Sequence, residues 1–167
     1  TIMVGPQEVP RYRELRLRGL REHPEAFGET APGFEAKALE LIAQRIEAQQ
    51  ALGGFILAAV SKSGAMLGTV GLALNEPGKT RHRGELWGMY VVPEARGQHV
   101  GRRLIEELIN RAKGIDGLEQ LHLAVVTTNT AAVRLYEQMG FVTYGTDPRV
   151  LQVDGRYFDE YLMARRV

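Results

Sequence analysis

Apolar residues in the middle of this chain form short runs that turn-forming residues separate. The runs lie at residues 55–60, 66–74 and 85–92, with Gly, Ser, Asn and Pro between them. Runs of this length and spacing predict three consecutive strands, of which the first two form a hairpin. Alternating residues at 121–127 predict a further strand.

Elsewhere the apolar residues follow the 3.6-residue period of a helix. This spacing predicts helices at residues 35–51, 100–113 and 130–139. At residues 10–22 the Leu spacing is ambiguous between the two periods, and the length and the Arg, Leu and Glu content favour a fourth helix. Residues 23–33 contain Pro and Gly and are expected to form a loop. Two last strands are expected at residues 141–146 and about 156–164. This order of elements indicates one α/β domain, residues 1–167, with a mixed sheet.

Composition narrows the classes of function. The chain has 167 residues, a formal net charge of +1, no Cys and four scattered His. Nucleic-acid binding is not expected, because it requires a strong basic excess. No apolar run approaches the roughly 20 residues that cross a bilayer, and no secretory signal is present, so we expect a cytoplasmic protein with no membrane partner. The missing Cys excludes an acyl-cysteine intermediate, and the scattered His argue against a metal centre.

A loop with Gly and Arg follows the predicted strand 85–92 and precedes a predicted helix. Its sequence is Arg96-Gly97-Gln98-His99-Val100-Gly101-Arg102. The first amides of a helix have no partner within the helix, and the helix dipole adds partial positive charge there. Gly97 and Gly101 allow the backbone to approach a ligand, and Arg96 and Arg102 add full charges. The combination predicts a phosphate-binding loop.

A second motif lies downstream, with the spacing Asn-x-x-Ala-x-x-Leu-Tyr-x-x-x-Gly-Phe. It consists of Asn129, Ala132, Leu135, Tyr136, Gly140 and Phe141. With the Arg96–Gly101 loop before it, the chain resembles the GCN5-related N-acetyltransferase superfamily, which has an acetyl-CoA pyrophosphate loop and this signature in the same order. The resemblance is clearest from about Glu85 to Phe141.

The resemblance implies a single-domain acetyltransferase fold. Its sheet would be mixed and mostly antiparallel, with six or seven strands, about four flanking helices, and splayed fourth and fifth strands that admit the pantetheine arm. The reaction implied is transfer of an acetyl group from acetyl-CoA to a primary amine, by direct attack in a ternary complex. Besides the loop 96–102, the cofactor-binding residues implied are the backbone of Met89, Tyr90 and Val91, and Asn129, Ala132 and Tyr136.

One residue of the loop departs from the family pattern. The family usually has Gly where this chain has His99. A side chain resists positive φ at a cost of about 1 kcal/mol. We therefore expect His99 to keep ordinary helical or turn geometry, with its amide available.

Two side chains are candidates for proton transfer. The resemblance places Tyr136 near the sulfur of CoA, and a phenol of pKa about 10 can protonate a thiolate of pKa about 8.5. Glu85 opens a strand on which several family members carry a Glu, and a partly dry cleft would raise its pKa toward the range of a general base. Each has a structural alternative, since Tyr136 could be a core residue and Glu85 a solvated partner of Arg81 or Arg83.

The acceptor pocket is implied only in outline. The resemblance places it at the first two helices and their connection, residues 23–35, with segment 144–157 on the other side. This nominates Glu25, Phe27, Glu29 and Phe34. The two Glu could hold a cationic amine or solvate a loop. Trp87 and Tyr90 could line the cleft or pack in the core, and Asn129 is expected to cap a helix.

Two other classes of function are considered. A module that binds acyl-CoA without turnover would need neither Tyr136 nor Glu85, so the presence of both favours an enzyme. A dinucleotide oxidoreductase requires Gly-x-Gly-x-x-Gly after a first strand, and the loop 97–101 lacks that spacing. The apolar residues of the last strand could pair subunits in a homodimer or pack in the core: Tyr157, Phe158, Tyr161 and Leu162.

Overall fold

The computed structural model describes every residue from Thr1 to Val167. Its strands are β1 Ile2–Met3, β2 Phe55–Val60, β3 Met66–Leu74, β4 Arg83–Val91, β5 Gln120–Val126, β6 Val142–Val153 and β7 Arg156–Arg166. They form one sheet with the order β1-β2-β3-β4-β5-β7-β6. All neighbours are antiparallel apart from the parallel pair β4 and β5. The predicted mixed, mostly antiparallel sheet is confirmed.

Helices cover both faces of this sheet: α1 Val9–Glu22, α2 Ala31–Glu35, α3 Leu39–Ala51, α4 Val100–Ala112 and α5 Thr130–Gln138. Because alternate strand residues point to opposite faces, neighbouring residues of β2 belong to different cores. Ile56 packs in a cluster with residues of α1, α2 and α3. Leu57 packs in a larger cluster with α4 residues such as Leu104 and Leu108. No helix has the length and apolar character that crossing a membrane requires.

The N-terminal helices differ from the prediction. The helix expected over 35–51 begins at Leu39, and the expected loop 23–33 contains the start of α2. The Oγ1 of Thr30 accepts a hydrogen bond from the Gly33 amide at 3.2 Å and caps α2. The prediction was wrong because Pro32 was taken as a helix breaker. In the first turn of a helix, Pro costs no hydrogen bond.

The last two strands are longer than predicted. β6 runs to Val153, and a turn at Asp154 and Gly155 joins it to β7. Both turn residues have positive φ, 49° and 76°, the geometry for which Asp-Gly is favoured in hairpins. The ladder is irregular after Asp147, where Pro148 stands. Because β6 is an edge strand, a residue without an amide donor does not end it.

Strands β4 and β5 separate soon after they begin to pair. Their register covers only Arg83–Glu85 and Gln120–His122. Further along, the register shifts so that Gly88 and Met89 together oppose Val70 of β3. Gly88 has a φ of 64°, which a glycine adopts without a steric penalty at such a bulge. The bulge bends β4 away from β5 and opens a cleft in the sheet, which confirms the predicted splay.

Candidate active site

The cleft between β4 and β5 has a volume of about 500 Å³. Twelve residues nominated from the sequence line it: Met89, Tyr90, Val91, Arg96, Gly97, His99, Val100, Gly101, Arg102, Asn129, Ala132 and Tyr136. Of the predicted catalytic and cofactor-binding residues, only Gln98 and Glu85 do not. The cleft is also lined by Phe27, which was nominated for the acceptor pocket, and by Leu135 of the second motif. His23 and Ala26, which no motif marks, line it from the predicted acceptor segment 23–35.

The loop before α4 presents a row of unpaired amides. None of the N–H groups of residues 97–102 donates to a carbonyl, and the first to do so is that of Arg103, to His99 at 3.0 Å. Positive φ at Gly97 and His99, 75° and 58°, turns the chain into a concave nest of amides. The helix dipole of α4 adds partial positive charge at the same place. The loop therefore has the donors that a pyrophosphate requires.

The conformation of His99 corrects the prediction. His99 has φ 58° and ψ 18°, in the left-handed region, and stands at the N-cap of α4. Ordinary turn geometry was expected. Only a few residues lie between the turn Pro93–Ala95 and α4, and reversing the chain over that distance takes a second left-handed residue after Gly97. His enters this region more readily than a β-branched residue.

Two substitutions at His99 measure this strain. We expect His99→Gly to leave the free energy of unfolding within about 1 kcal/mol of wild type, because relief of strain is offset by a freer unfolded chain. His99→Val should lower it by about 1–3 kcal/mol, because a β-branched residue resists left-handed geometry. Denaturant unfolding of both variants measures the difference. A His99→Val protein as stable as wild type would show that the loop leaves the left-handed conformation at no cost.

Arg96 fixes the loop to the end of β4. Its Nε donates to the Val91 carbonyl at 3.1 Å, and its Nη2 lies 3.0 Å from Nε2 of His23. The next amide, that of Val92, donates to Leu67 of β3. Since alternate strand residues direct their backbone groups to opposite sides, the Val91 amide points into the cleft. It is available to a ligand there.

Tyr136 lies on the opposite wall of the cleft, on α5. Asn129 caps this helix by accepting the Ala132 amide at 3.2 Å, which confirms the predicted cap. The Tyr136 ring is buried edge-on against Phe141, with 5.8 Å between ring centroids. Burial raises the pKa of the Tyr136 phenol. The hydroxyl forms no hydrogen bond within the protein but keeps some accessible surface. Because Tyr136 lines the cleft, the hydroxyl reaches it.

Tyr90 has a structural side chain. Its ring packs against Gly19 of α1, where an added Cβ would lie 3.0 Å from the ring. Its hydroxyl donates to Glu22 at 2.6 Å, and burial together with this carboxylate raises the pKa of Tyr90. Arg18 joins Glu22 to Glu94 at 2.8 and 2.7 Å. The side chain is thus core packing, and the Tyr90 backbone faces Thr69 of β3 rather than the cleft, since it alternates with that of Val91.

Glu85 lies outside the cleft, in a neighbouring pocket of about 230 Å³ with His122 and Tyr144. It is exposed and forms neither of the ion pairs considered from the sequence. Arg83 instead contacts the His122 ring at 3.0 Å, and Arg81 donates to the Leu52 carbonyl at 3.2 Å. The Glu85 carboxylate is therefore free of a cationic partner.

A second carboxylate near Glu85 was missed in the sequence. Glu160 of β7 is half-buried, and burial raises its pKa, with Asp147 and Glu85 raising it further. Glu160 stands opposite Val126 of β5. No motif marks it, because only the antiparallel pairing of β5 and β7 brings it to this region.

A separate cavity of about 150 Å³ lies between α1, α3 and the sheet. Glu29 and Phe34 of the predicted acceptor region line it, and Glu29 is paired with Lys37. Phe27 lines the main cleft instead, and Glu25 lies 3.3 Å from His23. Trp87 lines both this cavity and a pocket of about 90 Å³ with Gly88. Because that pocket shares Met89 and Tyr136 with the cleft, we describe it as the narrow end of the cleft.

The comparisons with known proteins agree with this fold. The family model described as the acetyltransferase (GNAT) family matches residues 17–141. This protein belongs to the acetyltransferase (GNAT) family. A mycothiol acetyltransferase of Salinispora tropica is 34% identical over 131 residues, which are 78% of this chain and 40% of that protein. The chain therefore spans less than half of that relative's length.

Two solved structures show how far the architecture is shared. A GNAT-family acetyltransferase of Streptococcus pneumoniae superposes with a TM-score of 0.89 at 25% identity, covering 99% of this chain and 98% of that one. A Salmonella typhimurium protein solved with its cofactor acetyl-CoA has a TM-score of 0.83 at 22% identity, covering 99% of this chain and 94% of that one. The fold is thus shared over almost the whole chain.

Proposed function

We propose that this protein is an acetyl-CoA-dependent N-acetyltransferase that transfers an acetyl group to a primary amine. The observation that carries the proposal is the row of six unpaired amides, residues 97–102, at one end of a cleft that the Tyr136 hydroxyl reaches. The reaction needs an anion site to hold the pyrophosphate and a proton donor near the thioester sulfur. Membership of the family and the resemblance to a protein solved with acetyl-CoA support it.

Different residues bind different parts of acetyl-CoA. Amides 97–102 hold the pyrophosphate, and Arg102 is close enough to add charge. Its Nε is now 2.8 Å from Glu106 in a half-exposed pair, and such pairs contribute so little that a phosphate can displace them. The Val91 amide supports the pantetheine arm. Met89 and Ala132 also line the cleft.

The proton steps follow from the chemistry of the reaction. The acceptor attacks as a neutral amine, because an ammonium has no lone pair. A C–N bond forms and the C–S bond breaks, so the nitrogen gives up one proton and the sulfur gains one. Tyr136 supplies the sulfur's proton. A carboxylate near the acceptor side takes the nitrogen's proton, directly or through water, and we assign this role to Glu85.

The assignment of Glu85 is tested against Glu160. We expect Glu85→Gln to lower kcat/KM about 100-fold, since a neutral amide cannot accept the proton. Glu160→Gln is the matched control and should keep kcat/KM close to the wild-type value. The measurement is kcat/KM of both variants from pH 5 to 9. If Glu160→Gln loses activity and Glu85→Gln does not, Glu160 is the base.

The function itself is tested by thiol release. Purified protein is mixed with acetyl-CoA and pools of amino acids, polyamines, aminoglycosides and peptides, and free CoA is measured over time. Steady release that depends on one acceptor supports the proposal. Binding of CoA with no release from any pool would identify a module that binds acyl-CoA without turnover.

Assembly and location stay predictions. Exposed apolar side chains lie on β6 and at the start of β7: Val142, Tyr144, Val150 and Tyr157. Of the residues considered from the sequence, only Tyr157 is exposed, whereas Phe158, Tyr161 and Leu162 are half-buried. A homodimer would therefore form mainly through β6, and a cytoplasmic location stays an expectation.

A further inference from the structure

Arg16 of α1 is a buried cation without a hydrogen-bond partner. Its side chain is 6% exposed, and its Nη1 is fully buried with no acceptor. None of the eight ion pairs in the structure includes it. A guanidinium stays charged in a protein, and leaving a charged donor unpaired in a dry place costs free energy. Such a group is expected to have a partner that binds there.

The surroundings of Arg16 do not supply that partner. The guanidinium carbon lies 4.4 Å from the centroid of the Phe27 ring and 5.9 Å from that of Trp87. Aromatic faces attract a cation but do not accept its in-plane N–H groups well. The titratable groups whose charges act on Arg16 are Tyr12 and Glu29. The Glu29 carboxylate attracts Arg16 but is paired with Lys37, so Arg16 itself has no ion-pair partner.

Arg16 lies between the cavity and the cleft. It lines the cavity of about 150 Å³ between α1, α3 and the sheet. Its Nη1 lies 3.6 Å from the place that a Cβ would take on Gly88, the bulge residue at the narrow end of the cleft. Trp87 lines both spaces, and its Nε1 is a second buried donor without an acceptor. Two unpaired donors therefore stand between the cavity and the narrow end of the cleft.

Building on the proposed function, we propose that the acceptor is a small amine that also carries a carboxylate, such as an amino acid. Its carboxylate binds Arg16 in the cavity and its amine lies at the Gly88 end of the cleft. The planar guanidinium matches a carboxylate with two parallel hydrogen bonds. The cavity suits a small group, since a space of about 150 Å³ holds a molecule the size of benzene. A polyamine would place cations against Arg16 and is disfavoured.

Substrate selectivity tests this inference. Thiol release is measured with α-amino acids and with their carboxamides, which differ only in the anionic group. We expect wild type to prefer the acids by about 100-fold in kcat/KM, because a site built for a polar partner rejects an analogue that lacks it. Arg16→Met should lose this preference while retaining activity with the amides. Arg11→Met is the control, since Arg11 is an exposed residue of the same helix, and it should keep the preference.

A binding measurement separates this inference from the proposed function. Trp87 is the only Trp of the chain, so intrinsic fluorescence reports on the wall between cavity and cleft. The probes are N-acetylated alanine, leucine and methionine, each with a free carboxylate or as the carboxamide. We expect the acids to change the fluorescence of wild type and of Arg11→Met at concentrations at least tenfold below the amides. Arg16→Met should respond to both alike.

Each outcome has a defined meaning. Carboxylate-selective binding without thiol release upholds the inference and overturns the proposed function. Thiol release with no preference for acids, or equal fluorescence responses to acids and amides in wild type, overturns the inference alone. If Arg16→Met does not fold, Arg16→Lys keeps the charge without the planar fork and should show a reduced preference. The comparison of acids with carboxamides in the wild-type protein tests the inference even if neither variant folds.

Discussion

Placing a carboxylate at position 101 should abolish productive binding of acetyl-CoA. We expect Gly101→Glu to weaken the affinity at least 100-fold, because a side chain there points at Met89 and Leu135 on the two walls of the cleft, 2.9 and 3.4 Å from the added Cβ. The new charge would stand beside the pyrophosphate site, where repulsion between charges about 4 Å apart is worth roughly 4 kcal/mol at an effective dielectric constant of 20. Titration with CoA measures the loss.

The fold should survive this substitution. Glu is a better helix former than Gly and is favourable in the first turn of α4. The closest contact is Cε of Met89, the end of a flexible side chain. Gly114→Glu, in the turn after the same helix, is the control and should bind CoA as wild type does. Normal CoA affinity in Gly101→Glu would mean that the loop does not hold the pyrophosphate.

Removing the hydroxyl of Tyr136 should cost turnover and little else. We expect Tyr136→Phe to lower kcat about 100-fold, the smaller end of the effect of a lost general acid. The KM for acetyl-CoA should stay within twofold and the protein should be as stable as wild type, because the hydroxyl has no hydrogen bond within the protein. Steady-state kinetics and thermal unfolding measure both.

The exposed Tyr157 is the control for this variant, and Tyr157→Phe should have wild-type kinetics. The pH profile adds a second criterion. Because burial raises the pKa of Tyr136 above its usual value of about 10, the phenol keeps its proton throughout the range from pH 7 to 10. Wild-type kcat should therefore show no alkaline limb from this group. Unchanged kcat in Tyr136→Phe would make Tyr136 a core residue only.

The sequence predicted what short-range interactions determine. The strand, loop and helix from Glu85 to Arg102 and the cap at Asn129 depend on neighbouring residues, and the structure has them close to their predicted bounds. His99 is an instructive exception. Its left-handed conformation follows from the reversal of the whole loop, which overrides the preference of a single residue.

What the sequence could not predict depends on tertiary contacts. Arg16 reads as one of several arginines on an amphipathic helix, and only the packing of α1 against Phe27 and Trp87 shows that it is buried. Glu160 likewise gains its environment from strands that are distant in the chain. Charged residues of this kind carry no local signature, because their roles arise from elements that meet only in the folded protein.

The short register between β4 and β5 divides the sheet into two halves that are joined only where these strands pair. A ligand lying in the gap would take the place of the missing strand pairs, so its binding should hold the two halves together. At 100 times its dissociation constant, a ligand adds about 2.7 kcal/mol to the free energy of unfolding. Here that gain should be largest at the junction of β4 and β5. Amide hydrogens along the unpaired edge of β4 should therefore exchange more slowly once CoA is bound.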